Sequence, residues 1–230
     1  MIKLGLVGKQ IAHSKSQAMY EKILARKIDY HLFDYPSADA IPSLKELFKI
    51  VDGVSITSPY KRHFLPQISK ILEVPFSDAI NCIKFEEGKF YATNTDYLAI
   101  KEISPLLLKK YEISQVFILG DGVMSKLTQA IFSTLNFARF EVLSRKTKSD
   151  FSAFDFSKKA SPEHKILIIN ACSRDFVFSN STNENCIFWD FNYGHEVHIK
   201  QLPNKVGFYL DGLEMLELQA RYAVQFWNVF

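Results

Sequence analysis

An α/β fold in two units is expected from this 230-residue sequence, on three observations. Short apolar runs of strand length alternate with stretches of helical spacing, the pattern of crossover units and mostly parallel sheets. Two such series are present, one before and one after a break near Asp96. The final segment is an amphipathic helix whose exit point leaves it free to pack back on the first series.

The elements read as follows. Ile2 to Val7 is a buried strand ending at Gly8, Met19 to Lys27 a helix, and Tyr30 to Phe33 a second strand. Ile41 to Ile50 has helical spacing, and Gly53 to Thr57 is a third strand. Cys82 to Phe85 and Phe90 to Thr93 flank Glu86-Glu87-Gly88-Lys89, a hairpin signal. After Thr95 a connecting helix runs from Leu98 to Lys110, and Gln115 to Leu119 is a fully buried strand. A glycine turn follows, then a helix from Met124 to Leu135 and the strand Phe140 to Leu143. Lys165 to Ile169, Ile187 to Phe191 and Val206 to Tyr209 supply further strands. The last helix, Gly212 to Val229, has Leu213, Leu216, Ala220, Ala223, Phe226 and Trp227 on its apolar side.

Composition narrows the function classes. With 47% apolar and 23% charged residues the chain is an ordinary globular one, which excludes a disordered or fibrous protein. The 28 basic and 25 acidic side chains leave a net charge of +3, too mild for the basic stripe of a nucleic-acid binder. No apolar run reaches the roughly 18 residues of a membrane span, and the Met1 end reads as a strand rather than a secretion signal. Three cysteines, Cys82, Cys172 and Cys186, are an odd number without close pairing, so a disulfide framework is not expected and the cytoplasm is. Phenylalanine is abundant at 20, and glycine is scarce at 9, which restricts where a backbone can approach a phosphate.

Four constellations carry chemistry. His13-Ser14-Lys15-Ser16 follows the first strand; its two hydroxyls at i and i+2 can face one carboxylate, or Ser16 can cap the next helix. Thr57-Ser58-Pro59-Tyr60-Lys61 ends the third strand, where open α/β sheets bind ligands. Pro59 suits the first position of a helix, and Thr57 and Lys61 are either a cap and a solvated lysine or the mouth of a cleft. Asn94-Thr95-Asp96, with Asn81 upstream, is a helix cap or a set that grips hydroxyls, with Asp96 paired to Lys61. Finally, Gly120-Asp121-Gly122-Val123-Met124-Ser125 fits G-x-G-x-x-S between strand and helix, a dinucleotide-binding turn. Asp121 opposes it, since a carboxylate repels a pyrophosphate. One strand later, Ser144-Arg145-Lys146 offers cations where an NAD site has an acid, which suits a 2′-phosphate; the alternative is a solvated basic loop.

Three further candidates carry less. His195 and His198 lack the Cys or carboxylate partners of a metal site, so no metal is expected. Cys172 reads as a buried thiol rather than a nucleophile. Gln219, among apolar neighbours on the last helix, is either partly exposed or able to reach a polar ligand.

The order and spacing of these stretches resemble the shikimate dehydrogenase family over nearly the whole chain. The resemblance rests on GLVGKQIAHSKSQAMY (5–20), VSITSPYK (54–61), DAINCI (78–83), NTD (94–96), VFILGDG (116–122), IINA (168–171), WDFNYG (189–194) and DGLEMLELQA (211–220). It implies a substrate-binding catalytic domain of 1–96 with 211–230, and a Rossmann-like NADP-binding domain of 97–210. It implies that Ser14 and Ser16 bind the shikimate carboxylate, and that Thr57, Lys61, Asn81, Asp96, Tyr193 and Gln219 hold the hydroxyls and ring. Lys61 and Asp96 become the catalytic pair. Gly120, Gly122, Val123, Met124, Ser144, Arg145, Lys146, Phe191 and Gly212 surround NADP.

The expectation is therefore an oxidoreductase of aromatic amino-acid (chorismate) biosynthesis, a cytoplasmic monomer or homodimer with a small-molecule substrate and no nucleic-acid or membrane partner. A lysine at its free pKa of about 10.4 is a poor base, and Asp96 holds its charge, so Lys61 either exchanges the hydroxyl proton or stabilises the alkoxide. The chain departs from the family's usual residues at Gln17 and Ser55, in GDGVMS, in Ser-Arg-Lys and in the loop after Ala171, and 147–190 is short. These departures keep open quinate as substrate, NAD as cofactor, or a binding protein that keeps the shikimate pocket with weakened cofactor affinity.

Overall fold

The computed structural model describes residues 1–75, 78–144, 151 and 154–229. The chain divides into two compact units, Met1–Ala99 with Leu216–Phe230, and Ile100–Met215. Its elements are β1 (Lys3–Gly8), α1 (Ser16–Leu24), β2 (Asp29–Asp34), α2 (Leu44–Leu47), β3 (Gly53–Ile56), β4 (Lys70–Ile71), β5 (Cys82–Glu86), β6 (Lys89–Thr93) and α3 (Thr95–Lys110). They continue with β7 (Ile113–Leu119), α4 (Val123–Thr134), β8 (Phe140–Leu143), β9 (Lys165–Asn170), β10 (Cys186–Asp190), α5 (Glu196–Gln201), β11 (Phe208–Leu210) and α6 (Leu213–Trp227).

The first unit holds a six-stranded sheet in the order β2-β1-β3-β5-β6-β4. Its β1, β2 and β3 are parallel, whereas β5 runs antiparallel to both β3 and β6. One face packs on a core that includes Val54, Ile56, Phe64 and Ile83. The other takes α1 and α6 through Tyr20, Ala220, Ala223 and Trp227. The Trp227 indole N–H donates to the Ile83 carbonyl at 2.9 Å, so a buried polar atom is satisfied while the ring fills the core.

The second unit is a five-stranded sheet in the order β11-β10-β9-β7-β8, parallel throughout. Its central strands read as continuous apolar runs because both faces are covered; Ile166 to Asn170 and Cys186 to Asp190 are all buried. One face explains much of the phenylalanine usage: Phe117, Phe151, Phe156, Phe176, Phe178 and Phe188 pack there in one cluster. Between β8 and β9 the described residues hold a single 3-10 turn, Phe156–Lys158, where a crossover helix is common. Asn180 donates to the Phe151 and Phe154 carbonyls and Asn183 to those of Ser157 and Ala160, which lets coil cover a core without orphaned backbone.

Each sheet reverses strand order at its first strand. β1 lies between β2 and β3, and β7 between β8 and β9, so the switch points fall after Gly8 and after Leu119. Ligands bind at such points in open α/β sheets.

Several expected elements differ. The helix at 41–50 shrinks to Leu44–Leu47, because Pro42 precedes it and the Glu46 carboxylate takes the Ser43 N–H at 2.9 Å, fixing the start as a capping box. Pro59 does not open a helix: residues 61–64 are turn, a 3-10 turn comes only at Leu65–Gln67, and the Ser58–Pro59 peptide is cis. Leu213, expected on the apolar side of α6, is 38% exposed, since it stands at the first position of the helix, while Met215 and Val224 are buried.

Candidate active site

The turn after β3 carries Lys61, and its backbone is held there by the Ile80 N–H, which donates to the Lys61 carbonyl at 2.9 Å. Asp96 is the second residue of α3, where the helix dipole favours a carboxylate. Their side chains meet: Lys61 Nζ lies 2.6 Å from Asp96 Oδ2, and the residues are only 8% and 9% exposed. A buried ion pair is costly to assemble and weak evidence of stabilisation, so its retention points to chemistry.

Around the pair lies a chain of amide and hydroxyl groups. Asn94 caps α3, its Oδ1 accepting the Tyr97 N–H at 3.1 Å, so the capping reading holds for this residue. Asn81 Nδ2 donates to Thr95 Oγ1 at 3.0 Å, and Asn81 Oδ1 accepts the Thr95 N–H at 2.7 Å. Thr95 Oγ1 in turn lies 3.0 Å from Gln219 Oε1 on α6. The helix that closes the chain thus reaches the residues that open α3.

Ser14 and Ser16 pair with each other, their hydroxyls 3.1 Å apart. Ser16 is the first residue of α1 rather than its cap, and Ser14 Oγ accepts its N–H at 3.2 Å. One turn on, Tyr20 shares that helix face, and its hydroxyl bonds Ser55 Oγ of β3 at 2.9 Å. Burial holds the Tyr20 phenol well above its ordinary pKa, with smaller contributions from Tyr30, Cys82 and the Asp96 charge; it stays protonated. Thr57 is half-buried after β3, its N–H donating to Val7 at 2.9 Å and its carbonyl accepting from Tyr60 at 3.0 Å.

In the second unit, Gly120 and Gly122 form the turn between β7 and α4. Gly120 has φ +107°, a region that side chains avoid, and a Cβ there would lie 3.2 Å from the Ala171 carbonyl oxygen. Gly122 is the N-cap of α4 and nothing stands within 4 Å of where its Cβ would be. An open glycine cap in front of Val123 and Met124, at the switch point, fits the phosphates of a dinucleotide. Asp121 is exposed on the same turn and works against them. Ser144 is buried at the end of β8; Arg145 and Lys146 lie outside the described residues.

Phe191 is buried against Trp189, with ring centroids 4.9 Å apart. A Cβ on Gly212 would come within 2.5 Å of the Phe191 carbonyl oxygen, so only glycine lets these loops close on each other. Tyr193 is half-buried, with the Arg174 guanidinium 5.5 Å over its ring.

The structure therefore joins Lys61 to Asp96, Asn81 to Gln219 through Thr95, and Ser14 to Ser16. Tyr193 belongs to the other unit, with Phe191 and Gly212. Sequence reading missed Thr95 as the bridge, although it stands between the two noted residues of Asn94-Thr95-Asp96, and missed the Tyr20–Ser55 pair, whose signal was Tyr20 four residues after Ser16. His198 is bound to Asp190 at 2.6 Å, and Cys172 is half-buried rather than buried.

No protein-family model matches the chain. The shikimate dehydrogenase of Sulfurisphaera tokodaii is 29% identical across 97% of this chain and 88% of its own length. The shikimate dehydrogenase (NADP(+)) of Vesicomyosocius okutanii is 26% identical across 99% and 94%. Among solved structures, Aquifex aeolicus shikimate dehydrogenase superposes with a TM-score of 0.75 at 20% identity, covering 99% of this chain and 92% of that one. The Thermus thermophilus shikimate 5-dehydrogenase in complex with shikimate gives 0.74 at 23%, covering 100% and 93%.

Proposed function

We propose that this chain, which belongs to the shikimate dehydrogenase family, is an NADP-dependent shikimate dehydrogenase that interconverts shikimate and 3-dehydroshikimate. The observation that carries the reading is the buried Lys61–Asp96 pair, 2.6 Å apart, beside the Asn81–Thr95–Gln219 chain. Shikimate is a small polyol with one carboxylate, and this is a set of amide, hydroxyl and amine groups suited to it. Lys61 binds the oxygen that changes from hydroxyl to carbonyl: it takes up that hydroxyl's proton as the hydride leaves the carbon, returns it in the reverse direction, and its positive charge stabilises the developing alkoxide. Asp96 fixes the amine and accepts from a ring hydroxyl. Asn81 and Gln219 orient the remaining hydroxyls, Ser14 and Ser16 donate to the carboxylate, and Thr57 completes the contacts made by this unit.

A bound NADP would supply the hydride acceptor, and as NADPH the donor. Gly120, Gly122, Val123 and Met124 would hold its phosphates and Ser144 with Arg145 and Lys146 its 2′-phosphate, while Phe191 and Gly212 would flank it. NADP is favoured over NAD because relatives such as those of Vesicomyosocius okutanii and Aquifex aeolicus carry NADP(+) in their names. Among the described residues no helix is long and apolar enough to cross a membrane. The reading places the enzyme in the cytoplasm as a monomer or homodimer with neither nucleic acid nor membrane as partner.

The test is turnover. With shikimate and NADP⁺, nicotinamide absorbance should rise, with kcat/KM above that for quinate or for NAD⁺. A rate no higher than that of Lys61→Ala overturns the assignment.

A further inference from the structure

Asp190 is a carboxylate with no exposure at all, at the end of β10. Among the bonds it makes, its Oδ1 accepts from Asn170 Nδ2 at 3.0 Å, from the Asn192 N–H at 2.9 Å and from Asn192 Nδ2 at 3.2 Å. Its Oδ2 meets His198 Nδ1 at 2.6 Å and the Tyr209 hydroxyl at 3.5 Å. His198 is 1% exposed, and its Nε2 accepts the Phe178 N–H at 2.8 Å. A ring nitrogen that accepts carries no proton, so the proton sits on Nδ1 and is donated to Asp190. The carboxylate is thus balanced by neutral donors, an arrangement that carries a desolvation cost and holds every donor in a fixed direction.

Two of those donors, Asn170 at the end of β9 and Asn192 in the loop after β10, govern loops at the carboxyl end of the sheet. Asn170 Oδ1 accepts the Cys172 N–H at 3.2 Å, which sets the loop whose Ala171 carbonyl abuts Gly120. Asn192 Nδ2 also donates to the Cys172 carbonyl at 3.3 Å, and the Asn192 carbonyl takes the Gly212 N–H at 3.4 Å. One carboxylate therefore ties together the loops after β9, β10 and β11, and these are the loops that carry Phe191 and Gly212 and back the glycine turn.

We propose that Asp190, held by His198, is a positioning residue for the dinucleotide pocket: it fixes the Ala171–Cys172, Asn192 and Gly212 loops in the conformation that receives NADP. The proposal rests on the reading of the second unit as the NADP-binding one. It goes beyond the predicted contacts, because both side chains are buried and neither is among the residues assigned to the cofactor.

The two ring nitrogens provide the test. Asparagine in place of His198 sets an amide N–H near Nδ1 and keeps the Asp190 bond. Glutamine sets its amide near Nε2 and keeps only the Phe178 bond. Calorimetry with NADP⁺ and, separately, with shikimate should show NADP⁺ affinity falling about tenfold in His198→Gln and His198→Ala, the loss of one buried charge-assisted bond. His198→Asn should restore it to within about threefold, and shikimate affinity should stay within about twofold throughout. Asn192→Ala, at a half-buried position, should reproduce the tenfold loss without disturbing the core. Equal NADP⁺ affinity in the Asn and Gln variants, or an unchanged affinity in Asn192→Ala, overturns the positioning role. A wild-type protein that binds shikimate and no NADP⁺ overturns the functional reading instead.

Discussion

The two units build their candidate sites from different materials. In the first, side chains converge: Lys61 with Asp96, Asn81 with Thr95 and Gln219, Ser14 with Ser16, each bonded to its neighbour. In the second, backbone does the presenting. A glycine turn and a helix start form the surface, and the polar side chains Asn170, Asp190 and His198 stand behind it, buried. A polyol must be recognised hydroxyl by hydroxyl, which needs donors and acceptors of specified type. A pyrophosphate needs many N–H groups in one place, and backbone supplies those whatever the side chains are. On this reading the first site should tolerate little change in residue identity and the second much, provided the chain can still make the turn.

Substitutions that separate the two sites break or sharpen this contrast. The largest effect is expected from Lys61→Ala: kcat should fall roughly 10²- to 10⁴-fold in the turnover assay. NADP⁺ affinity by calorimetry should stay within about twofold. A parallel loss of NADP⁺ binding would show that the two sites are not independently built. Next is Gly120→Ala, which places a side chain at φ +107° and against the Ala171 carbonyl. Strain of about 1–3 kcal/mol should cost roughly tenfold or more in NADP⁺ affinity and leave shikimate affinity unchanged.

Smaller is Thr95→Val, which keeps the N–H bond to Asn81 but removes the hydroxyl between Asn81 and Gln219. The shikimate KM should rise by about tenfold, with NADP⁺ binding untouched. The smallest is electrostatic. Glu217 on α6 has its carboxyl held below the ordinary value by Lys22, 2.7 Å away on α1, and then by Arg221. A depressed folded-state pKa contributes stability above the unfolded value near 4.5, lost as pH falls through the folded one. Glu217→Gln should therefore flatten the fall of Tm on acidification below about pH 4.5, followed by calorimetric melting. An unchanged acid limb would remove this pair from the account of how α6 docks.

The same contrast explains what the sequence could reveal. Strands β7 and β9 were legible because runs such as Val116–Leu119 and Ile166–Ile169 are apolar at every position, as burial on both faces demands. Lys61, Asn81 and Asp96 were legible through their places beside strand ends and in the stretches VSITSPYK, DAINCI and NTD; residue type alone left a helix cap and a solvated lysine open. The Gly120 turn was legible only as a weak pattern, since its function lies in φ and in open space rather than in chemical groups. The Asp190–His198 pair was not: eight residues and a change of element separate its partners, and His195 and His198 read only as candidate metal ligands, a role set aside for want of Cys or carboxylate partners. The 41–50 helix was overextended because apolar spacing continues past the point where Ser43 and Glu46 fix its start. The cation pair expected after Ser144 falls outside the described residues.

The central claim is that the Lys61–Asp96 pair is where substrate is transformed. The most direct measurement is a crystal structure of the protein soaked with shikimate. The account predicts a ring hydroxyl within hydrogen-bond distance of both Lys61 Nζ and the Asp96 carboxylate, with the ligand carboxylate on Ser14 and Ser16. Shikimate bound elsewhere, or seated with its carboxylate on Lys61, would contradict it.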